Sequence, residues 1–192
     1  MPSLLWWPTM KRLVVLLALS ALSGGCATYS VSTIKDTADG STIYRVDGFP
    51  VGYPLKTNIG NLYFRPQKIV RPNGSKEYGV YVEYRGENRL FIEKGETLQV
   101  NVDGRIRRYS GEGSKEGREA DPSAPVSAGG ETVTEAAYYP IALDELREMS
   151  FGHEIFATLQ GKIIQVTGKF TSGNRDVLSR FVAEHGDIRV AP

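Results

Sequence analysis

The sequence predicts a mainly β domain, either an antiparallel sandwich or a partly open barrel, with a short helix and a C-terminal amphipathic helix. Three observations lead to this expectation. Glycine provides 21 of the 192 residues and tyrosine ten, a composition typical of turn-rich sheets. Short runs of alternating apolar and polar residues recur, with turn signals about every ten residues. Helical spacing of apolar residues is confined to the C-terminal third. An α+β arrangement is the alternative.

The first half of the domain is predicted to consist of strands joined by tight turns. Ser41 to Val46 forms one run, and Tyr78 to Arg85 forms a longer alternating run. Leu98 to Val102 leads into Asp103-Gly104, a strong hairpin signal. Arg71-Pro72-Asn73-Gly74 has the composition of a turn. Alternation in the second run places two sets of side chains on opposite faces, namely Val80, Val82 and Tyr84 on one and Tyr81, Glu83 and Arg85 on the other.

The C-terminal third combines strands with two helices. Its predicted elements are a strand from Thr132 to Tyr139, a helix from Ala142 to Met149, a hairpin of Glu154–Leu159 and Ile163–Phe170, and a final helix. Asn174 is the expected N-cap of that last helix, and Gly186 is its expected stop signal. An apolar stripe on it is formed by Val177, Leu178, Phe181 and Val182.

A long segment between the first group of strands and the C-terminal third has neither a strand-like nor a helix-like spacing of apolar residues. Residues 111–130 are rich in Gly, Ser, Pro and charged residues and contain almost no large apolar side chain. We therefore expect a mobile loop within a single domain that spans residues 41–192.

Charge and motifs exclude several classes of function. Lys and Arg total 23 against 22 Asp and Glu, so the basic excess that nucleic-acid binding requires is missing. The chain contains no G-x-x-x-x-G-K-[ST] phosphate loop and no G-x-S-x-G nucleophile elbow. Two histidines, His153 and His185, are too few for a typical zinc site. We therefore expect no cofactor, no metal and no catalytic residue.

The N-terminal segment has the layout of a secretory leader. Lys11 and Arg12 precede an apolar run from Leu13 to Leu22, and small residues follow. This run is ten residues long, whereas a membrane-spanning helix needs about 20. Met10 begins a Met-Lys-Arg start of the usual form, so we expect translation to begin there.

The sequence Leu22-Ser23-Gly24-Gly25-Cys26 resembles the lipobox of bacterial lipoproteins, although Ser23 stands where leucine is usual. The resemblance implies that the Cys26 thiol receives a diacylglyceryl group, that the leader is cut before Cys26, and that the new amino group is acylated. Cys26 is the only cysteine, so an intrachain disulfide is excluded. Ala27 after it implies sorting to the outer membrane. Residues 26–40 are then the acylated cysteine and a tether, with Tyr29 to Asp39 as the short tether itself.

One short run has a high density of positive charge. Arg105, Arg107 and Tyr109 share one face of a predicted strand, and Ile106 and Arg108 share the other. Such a face could bind lipopolysaccharide phosphate, peptidoglycan carboxylates or an acidic protein. A solvated face, or an edge strand guarded by charge against aggregation, is the structural alternative.

The expected function is that of a non-enzymatic envelope lipoprotein. Its membrane partner is the bilayer, through lipid on Cys26, and its β-rich domain faces the periplasm and binds an envelope protein or polymer. Two alternatives remain open. One is an envelope hydrolase with His153 or a carboxylate at its centre, for which Asp144, Glu145 and Glu148 are the densest acidic cluster. The other is a small-molecule carrier with an apolar cavity. The sequence indicates no particular oligomeric state.

Overall fold

Two antiparallel sheets and two helices make up the part of the chain that the computed structural model describes, namely residues 29–47, 55–57, 59–114 and 133–186. The predicted mainly β fold with helices in the C-terminal third is therefore confirmed, and the sheets do not close into a barrel. The strands are β1 (Val31–Lys35), β2 (Thr42–Val46), β3 (Leu55–Lys56), β4 (Gly60–Val70), β5 (Lys76–Gly86), β6 (Gly95–Val102), β7 (Arg105–Gly111), β8 (Val133–Pro140), β9 (Ile155–Gln160) and β10 (Gln165–Lys169). The helices are α1 (Leu143–Phe151) and α2 (Ser172–His185).

The first sheet has the order β1-β2-β4-β5-β8, and β3 also pairs with β4. Its centre is the β4–β5 hairpin, which is paired from Gly60 opposite Gly86 to Val70 opposite Lys76. The predicted turn joins these strands, with the Gly74 N–H donating to the Arg71 carbonyl over 2.8 Å. Gly74 has a φ of +80°, which a residue without a Cβ adopts at no steric cost.

Pro66 lies in the interior of β4, where proline is normally excluded from a central strand. The neighbouring strands explain the exception. β2 pairs with β4 only from Gln67 onward, and β3 pairs only with Asn61 and Leu62. Pro66 thus lies opposite the gap between β2 and β3. No strand pairs with it on that edge of β4, so the missing N–H of proline costs no hydrogen bond between strands there.

The second sheet has the order β10-β9-β6-β7. Asp103 and Gly104 form its predicted hairpin turn, and their φ angles of 51° and 86° are those of a type I′ turn. The Asp103 carboxylate also accepts the N–H groups of His153 and Glu154, the second over 2.7 Å. The turn is thereby joined to the segment that leads into β9.

The core lies between the two sheets and is closed by the helices. Tyr84 and Tyr139 are the largest of its fully buried side chains. Each phenol has a hydrogen-bond partner, since Tyr84 Oη donates to the Ile59 carbonyl over 2.9 Å and Tyr139 Oη lies 2.8 Å from Thr97 Oγ1. A Cβ on Gly86 would lie 1.9 Å from Tyr84 Oη, so glycine is required for this ring to fit.

The last helix begins one turn earlier than expected. Thr171, and not Asn174, is the N-cap of α2, because the Thr171 side chain accepts the Asn174 N–H and the Asn174 side chain accepts the Thr171 N–H. This reciprocal pair is a capping box, in which Asn174 takes the N3 position. The helix ends at His185, as expected from Gly186. Three of the four residues of the predicted stripe are buried, namely Leu178, Phe181 and Val182.

The segment expected to be a short tether, Tyr29 to Asp39, contains a strand. Between Tyr29 and Asp39, β1 pairs with β2 from Val31 opposite Val46 to Lys35 opposite Thr42. Tyr29 itself packs in a small cluster with Phe181 of α2. The described part of this segment therefore belongs to the folded domain.

Other expectations fall on residues that the structure does not describe. These are the leader, Cys26 and most of the segment 111–130, of which only residues 111–114 are described. In the ranges that are described, no helix has the length and apolar character needed to cross a membrane.

Candidate binding surface

The face of Arg105, Arg107 and Tyr109 points toward α1. Arg105 Nη2 lies 2.6 Å from Glu148 Oε1, and Arg107 Nη2 lies 2.6 Å from Glu148 Oε2. Arg107 Nη1 also lies 3.3 Å from Glu145 Oε1. The two carboxylates raise the pKa of Arg107 although desolvation acts to lower it. Both guanidiniums thus have carboxylate partners within the domain.

Tyr109 is part of the core. Only 7% of its surface is exposed, and it packs in the cluster between the sheets. Burial, reinforced by the negative charge of Glu145, raises the pKa of its phenol to about 12. The phenol is therefore neutral at physiological pH.

Each carboxylate of the acidic cluster on α1 (Asp144, Glu145 and Glu148) forms an ion pair with an arginine. Asp144 Oδ1 lies 2.6 Å from Arg147 Nη1 one turn along the helix, while Glu145 and Glu148 pair with β7. Among the residues that the structure describes, no three His, Cys, Asp or Glu side chains converge as a metal site would require.

The two histidines have separate structural surroundings. His153 is exposed, and its backbone N–H donates to Asp103. His185 stacks on Phe181 with ring centroids 5.1 Å apart, and burial together with the charge of Lys68 lowers its pKa. Lys68 Nζ donates to the His185 carbonyl over 3.0 Å. The cation at the C-terminus of α2 is therefore Lys68, and His185 is neutral at physiological pH.

A second group of arginines lies on the first sheet, on the side turned away from the core. We call this group the arginine–tyrosine face; it comprises Arg45 and Asp47 from β2 and its end, Tyr63 and Arg65 from β4, and Tyr81, Glu83 and Arg85 from β5. Strand register brings these side chains together, because Tyr63 pairs with Glu83 and Arg65 with Tyr81. Alternate residues of the same strands, such as Val82 and Tyr84, point into the core.

The charged residues of the arginine–tyrosine face form a continuous chain of ion pairs. Asp47 Oδ1 lies 3.2 Å from Arg45 Nε and 2.8 Å from Arg65 Nη1. Arg65 Nη2 lies 3.1 Å from Glu83 Oε2, and Glu83 also accepts a hydrogen bond from Arg85 Nε. Three guanidiniums thus share two carboxylates, so the face keeps an excess of one positive charge.

The tyrosine rings of the face stack with its guanidiniums. Arg45 Cζ lies 4.4 Å from the Tyr81 ring centroid, and Arg85 and Arg65 lie 4.9 and 5.6 Å from the Tyr63 centroid. Such cation–π contacts each stabilise by about 0.5–1 kcal/mol on a surface and more when desolvated. The side chain of Glu83 is only 8% exposed between its two arginines, so the face is a preorganised surface and not a set of independent solvated side chains.

Asp47 lies at the end of this chain of charges. Its carboxylate accepts a hydrogen bond from Ser32 Oγ, and its carbonyl accepts one from Ser30 Oγ. Burial acts to raise the pKa of Asp47. The hydrogen bond from Ser32 and the guanidiniums of Arg45 and Arg65 together lower it by more than burial raises it, so the pKa lies below its usual value. Asp47 thus stays ionised and connects the arginines to the segment that precedes β1.

Sequence reasoning did not single out this surface. The alternation of Tyr81, Glu83 and Arg85 on one strand face was visible in the sequence. Arg45 and Arg65 lie 40 and 20 positions before Arg85, and only the pairing of β2, β4 and β5 brings them together. Their distribution along the chain hid a cluster as rich in arginine as residues 105–109.

Comparison with known proteins adds no assignment, since no family model, no curated protein and no solved structure matches this chain.

Proposed function

We propose that this chain is a lipid-anchored envelope protein of the outer membrane, whose β-rich domain binds another envelope component and performs no chemistry. The observation that carries the proposal is the segment Leu22 to Cys26, in which small residues and a lone cysteine follow a leader-like apolar run. A triacylated cysteine would anchor the chain stably, because each buried methylene contributes about 0.8 kcal/mol and one acyl chain anchors only marginally.

The binding role is supported by the arginine–tyrosine face. Arginine and tyrosine are enriched at protein interfaces, where they combine a large contact area with directional hydrogen bonds. Arg105 and Arg107, the more obvious candidates in the sequence, are occupied by Glu145 and Glu148. We therefore assign binding to the first sheet and a structural role to the ion pairs between β7 and α1.

Membrane fractionation of the wild type beside Cys26→Ser tests the anchor. We expect the wild type in the outer-membrane fraction and the Cys26→Ser variant in a soluble fraction or retained with its leader. Recovery of both proteins from the same fraction would contradict the proposal, because the fraction would then not depend on the thiol.

Site-specific photocrosslinking tests the binding role. A photoreactive residue at position 81 lies on the arginine–tyrosine face, and one at Ile106, which is 57% exposed on the second sheet, is the matched control. We expect crosslinks to envelope material at position 81 and few at position 106. Equal crosslinking at the two positions would contradict a binding role for this face.

A further inference from the structure

The strand β1 forms one edge of the first sheet. Among the described residues it pairs with β2 alone, and its Thr33 and Lys35 side chains are exposed. The opposite edge strand, β8, lies against β7, since a Cβ on Gly111 would be only 2.9 Å from the Tyr138 carbonyl oxygen. A strand with unpaired backbone groups along one edge is a template for a further strand.

The direction of the backbone groups of β1 follows from hydrogen bonds at its two ends. The Ser30 carbonyl accepts the Asp47 N–H over 3.2 Å. At the other end the Asp36 N–H donates to the Ser41 carbonyl over 2.9 Å. Because the backbone groups of successive residues point to alternate edges of a strand, the even-numbered residues face β2. The groups that point away from the sheet are those of the odd-numbered residues, namely Val31, Thr33 and Lys35.

A row of isoleucines on the first sheet ends at this edge. Ile34 pairs with Ile43 of β2, and Ile43 pairs with Ile69 of β4. Ile43 lies two residues before Arg45 on the same strand, so the row is on the side turned away from the core. All three isoleucines are half-buried. Ile34 therefore has an isoleucine beside it in the sheet and presents its other flank at the strand edge.

We propose that β1 pairs antiparallel with β1 of a second copy of this chain, about a two-fold axis beside Ile34. Ile34 of each copy then lies directly opposite Ile34 of the other, and the isoleucine rows of the two copies become one. β-Branched side chains that face each other across strands stabilise the pair, so the row selects this register. A second copy supplies the matching side chain by symmetry.

The same register bonds the outward backbone groups and keeps like charges apart. Thr33 of each copy lies opposite Lys35 of the other as a hydrogen-bonded pair, in which the two residues exchange both N–H···O bonds. Lysine protects an edge strand most strongly where pairing would bring like charges together. In this register Lys35 faces a neutral threonine, so its charge does not oppose the pairing.

The dimer has a consequence for the binding surface. A two-fold axis between antiparallel strands is perpendicular to their sheet, so the outer faces of both first sheets lie on the same side of the extended sheet. The dimer therefore presents the arginine–tyrosine face twice in one direction.

Disulfide trapping tests the pairing at Ile34. Each variant is the full chain with Cys26→Ser, purified in detergent and oxidised with copper phenanthroline, so that an introduced cysteine is its only thiol. With Ile34→Cys the two cysteines form a non-hydrogen-bonded pair, whose Cα atoms are about 4.5 Å apart and within the range that a disulfide spans. Ile43→Cys is the matched control from the same row, because three strand spacings separate its two copies by about 14 Å.

We expect several-fold more disulfide-linked dimer from Ile34→Cys than from Ile43→Cys after equal oxidation, measured by non-reducing electrophoresis. Equal yields would overturn the proposal, because the cysteines would then meet only by random collision. Thr33→Cys tests the neighbouring register, in which Thr33 would lie opposite itself. A higher yield from Thr33→Cys than from Ile34→Cys would overturn the pairing at Ile34.

Substitution of Thr33 tests the dimer without a cysteine or an oxidant. Thr33→Glu places a carboxylate opposite Lys35 of the other copy, whereas Thr33→Lys places a second ammonium there. We expect the Kd of the dimer to fall about fivefold for Thr33→Glu and to rise about fivefold for Thr33→Lys. One short strand pair buries less than the about 1,200 Å² of a stable interface, so sedimentation equilibrium is measured at high protein concentration.

Equal association of the two Thr33 variants, or none in either, would overturn the dimer. Because Thr33 is exposed, both variants are expected to keep the circular dichroism spectrum of the wild type. Neither measurement requires acylation of Cys26. Failure of the dimer therefore leaves the proposed anchor and binding role unaffected, and failure of the anchor leaves the dimer unaffected.

Discussion

The two arginine groups of this domain differ in where their carboxylate partners come from. Arg105 and Arg107 on β7 pair with Glu145 and Glu148 of α1, so their ion pairs join a sheet to a helix. Arginines of the arginine–tyrosine face share Asp47 and Glu83, which lie at or next to the strands that carry the arginines themselves. The first group closes a contact between a strand and a helix, whereas the second joins neighbouring strands of one sheet and is the more buried, since Arg45, Arg65 and Arg85 are 14–21% exposed against 68% and 35% for Arg105 and Arg107.

This difference shows that charge density along a sequence does not predict which arginines cluster in the fold or which groups they pair with. The run of residues 105–109 contains three arginines, yet two of them are neutralised by a helix about 40 residues away. Arg45, Arg65 and Arg85 are spaced by 20 residues and become one surface only through strand pairing. Availability of a guanidinium depends on its partners in space, which the linear sequence does not contain.

The largest expected effect comes from Gly79→Ala in β5, the strand that also carries Tyr81, Glu83 and Arg85 of the arginine–tyrosine face. A Cβ at position 79 would lie 2.3 Å from the Tyr139 carbonyl oxygen and 2.7 Å from the Tyr138 ring. Because backbone must move to relieve this contact, we expect a loss of about 3 kcal/mol in the free energy of unfolding, measured by urea denaturation.

Gly74→Ala is the matched control for this substitution. Gly74 has a φ of +80°, but no atom lies within 4 Å of a Cβ added there. We therefore expect a loss of only about 1 kcal/mol in the free energy of unfolding. A loss at position 79 no larger than that at position 74 would contradict the close approach of Tyr138 and Tyr139.

Removal of a shared carboxylate distinguishes the two arginine groups. Glu83→Gln leaves Arg65 and Arg85 without a common anion in a site where Glu83 is 8% exposed, and we expect a loss of about 2 kcal/mol. Glu148→Gln removes a carboxylate that is 27% exposed, and we expect a loss of about 1 kcal/mol or less. Equal losses of unfolding free energy for Glu83→Gln and Glu148→Gln in urea denaturation would contradict the stronger contribution expected from the more buried carboxylate.

The pH dependence of stability is expected to report Asp47. Its pKa in the folded protein lies below the value of 3.8 that it would have when unfolded, so the unfolded chain binds the proton more tightly. Its stabilising contribution is therefore complete above that value and is lost as the pH falls through the folded pKa. In Asp47→Asn we expect a loss of about 1 kcal/mol at neutral pH and a shallower decline of stability in acid.

The measurement is thermal unfolding of the wild type and Asp47→Asn at a series of pH values from about 6 down to about 2.5. This is roughly the range over which a carboxylate titrates. Parallel curves for the two proteins would show that Asp47 is not the group responsible.

The smallest expected effect is the coupling between β7 and α1. A double-mutant cycle with Arg107→Met and Glu148→Gln should give a coupling energy of about 0.5 kcal/mol, because both side chains are partly exposed. Coupling indistinguishable from zero would indicate that Arg107 does not depend on Glu148, and would restore it as a candidate for an external anion.

The sequence predicted elements whose determinants are local. Asp103-Gly104 and Arg71 to Gly74 formed the expected turns because their residues tolerate a left-handed backbone or a tight reversal. The stripe on α2 was also predictable, since helical spacing is visible within one segment. The N-cap was wrong by three residues because Thr171 and Asn174 both suit a cap, and only the geometry of their reciprocal bonds decides between them.

Elements that depend on distant partners were not predictable. Val31 to Lys35 lacks a strong apolar pattern and becomes a strand by pairing with β2. Pro66 argues against a strand in the sequence, yet it lies within the eleven-residue strand β4. A proline is tolerated at this position only because of the gap between β2 and β3, which the sequence does not reveal. The candidate surface belongs to the same class, since its arginines meet only through register.

The most direct test of this account is the intact mass of the protein extracted from membranes. We expect the mass of a chain that begins at Cys26 and carries three acyl chains. A soluble protein without acyl mass would contradict the account: Cys26 would then have no role as an anchor, and a freely diffusing periplasmic enzyme or carrier would become the better explanation.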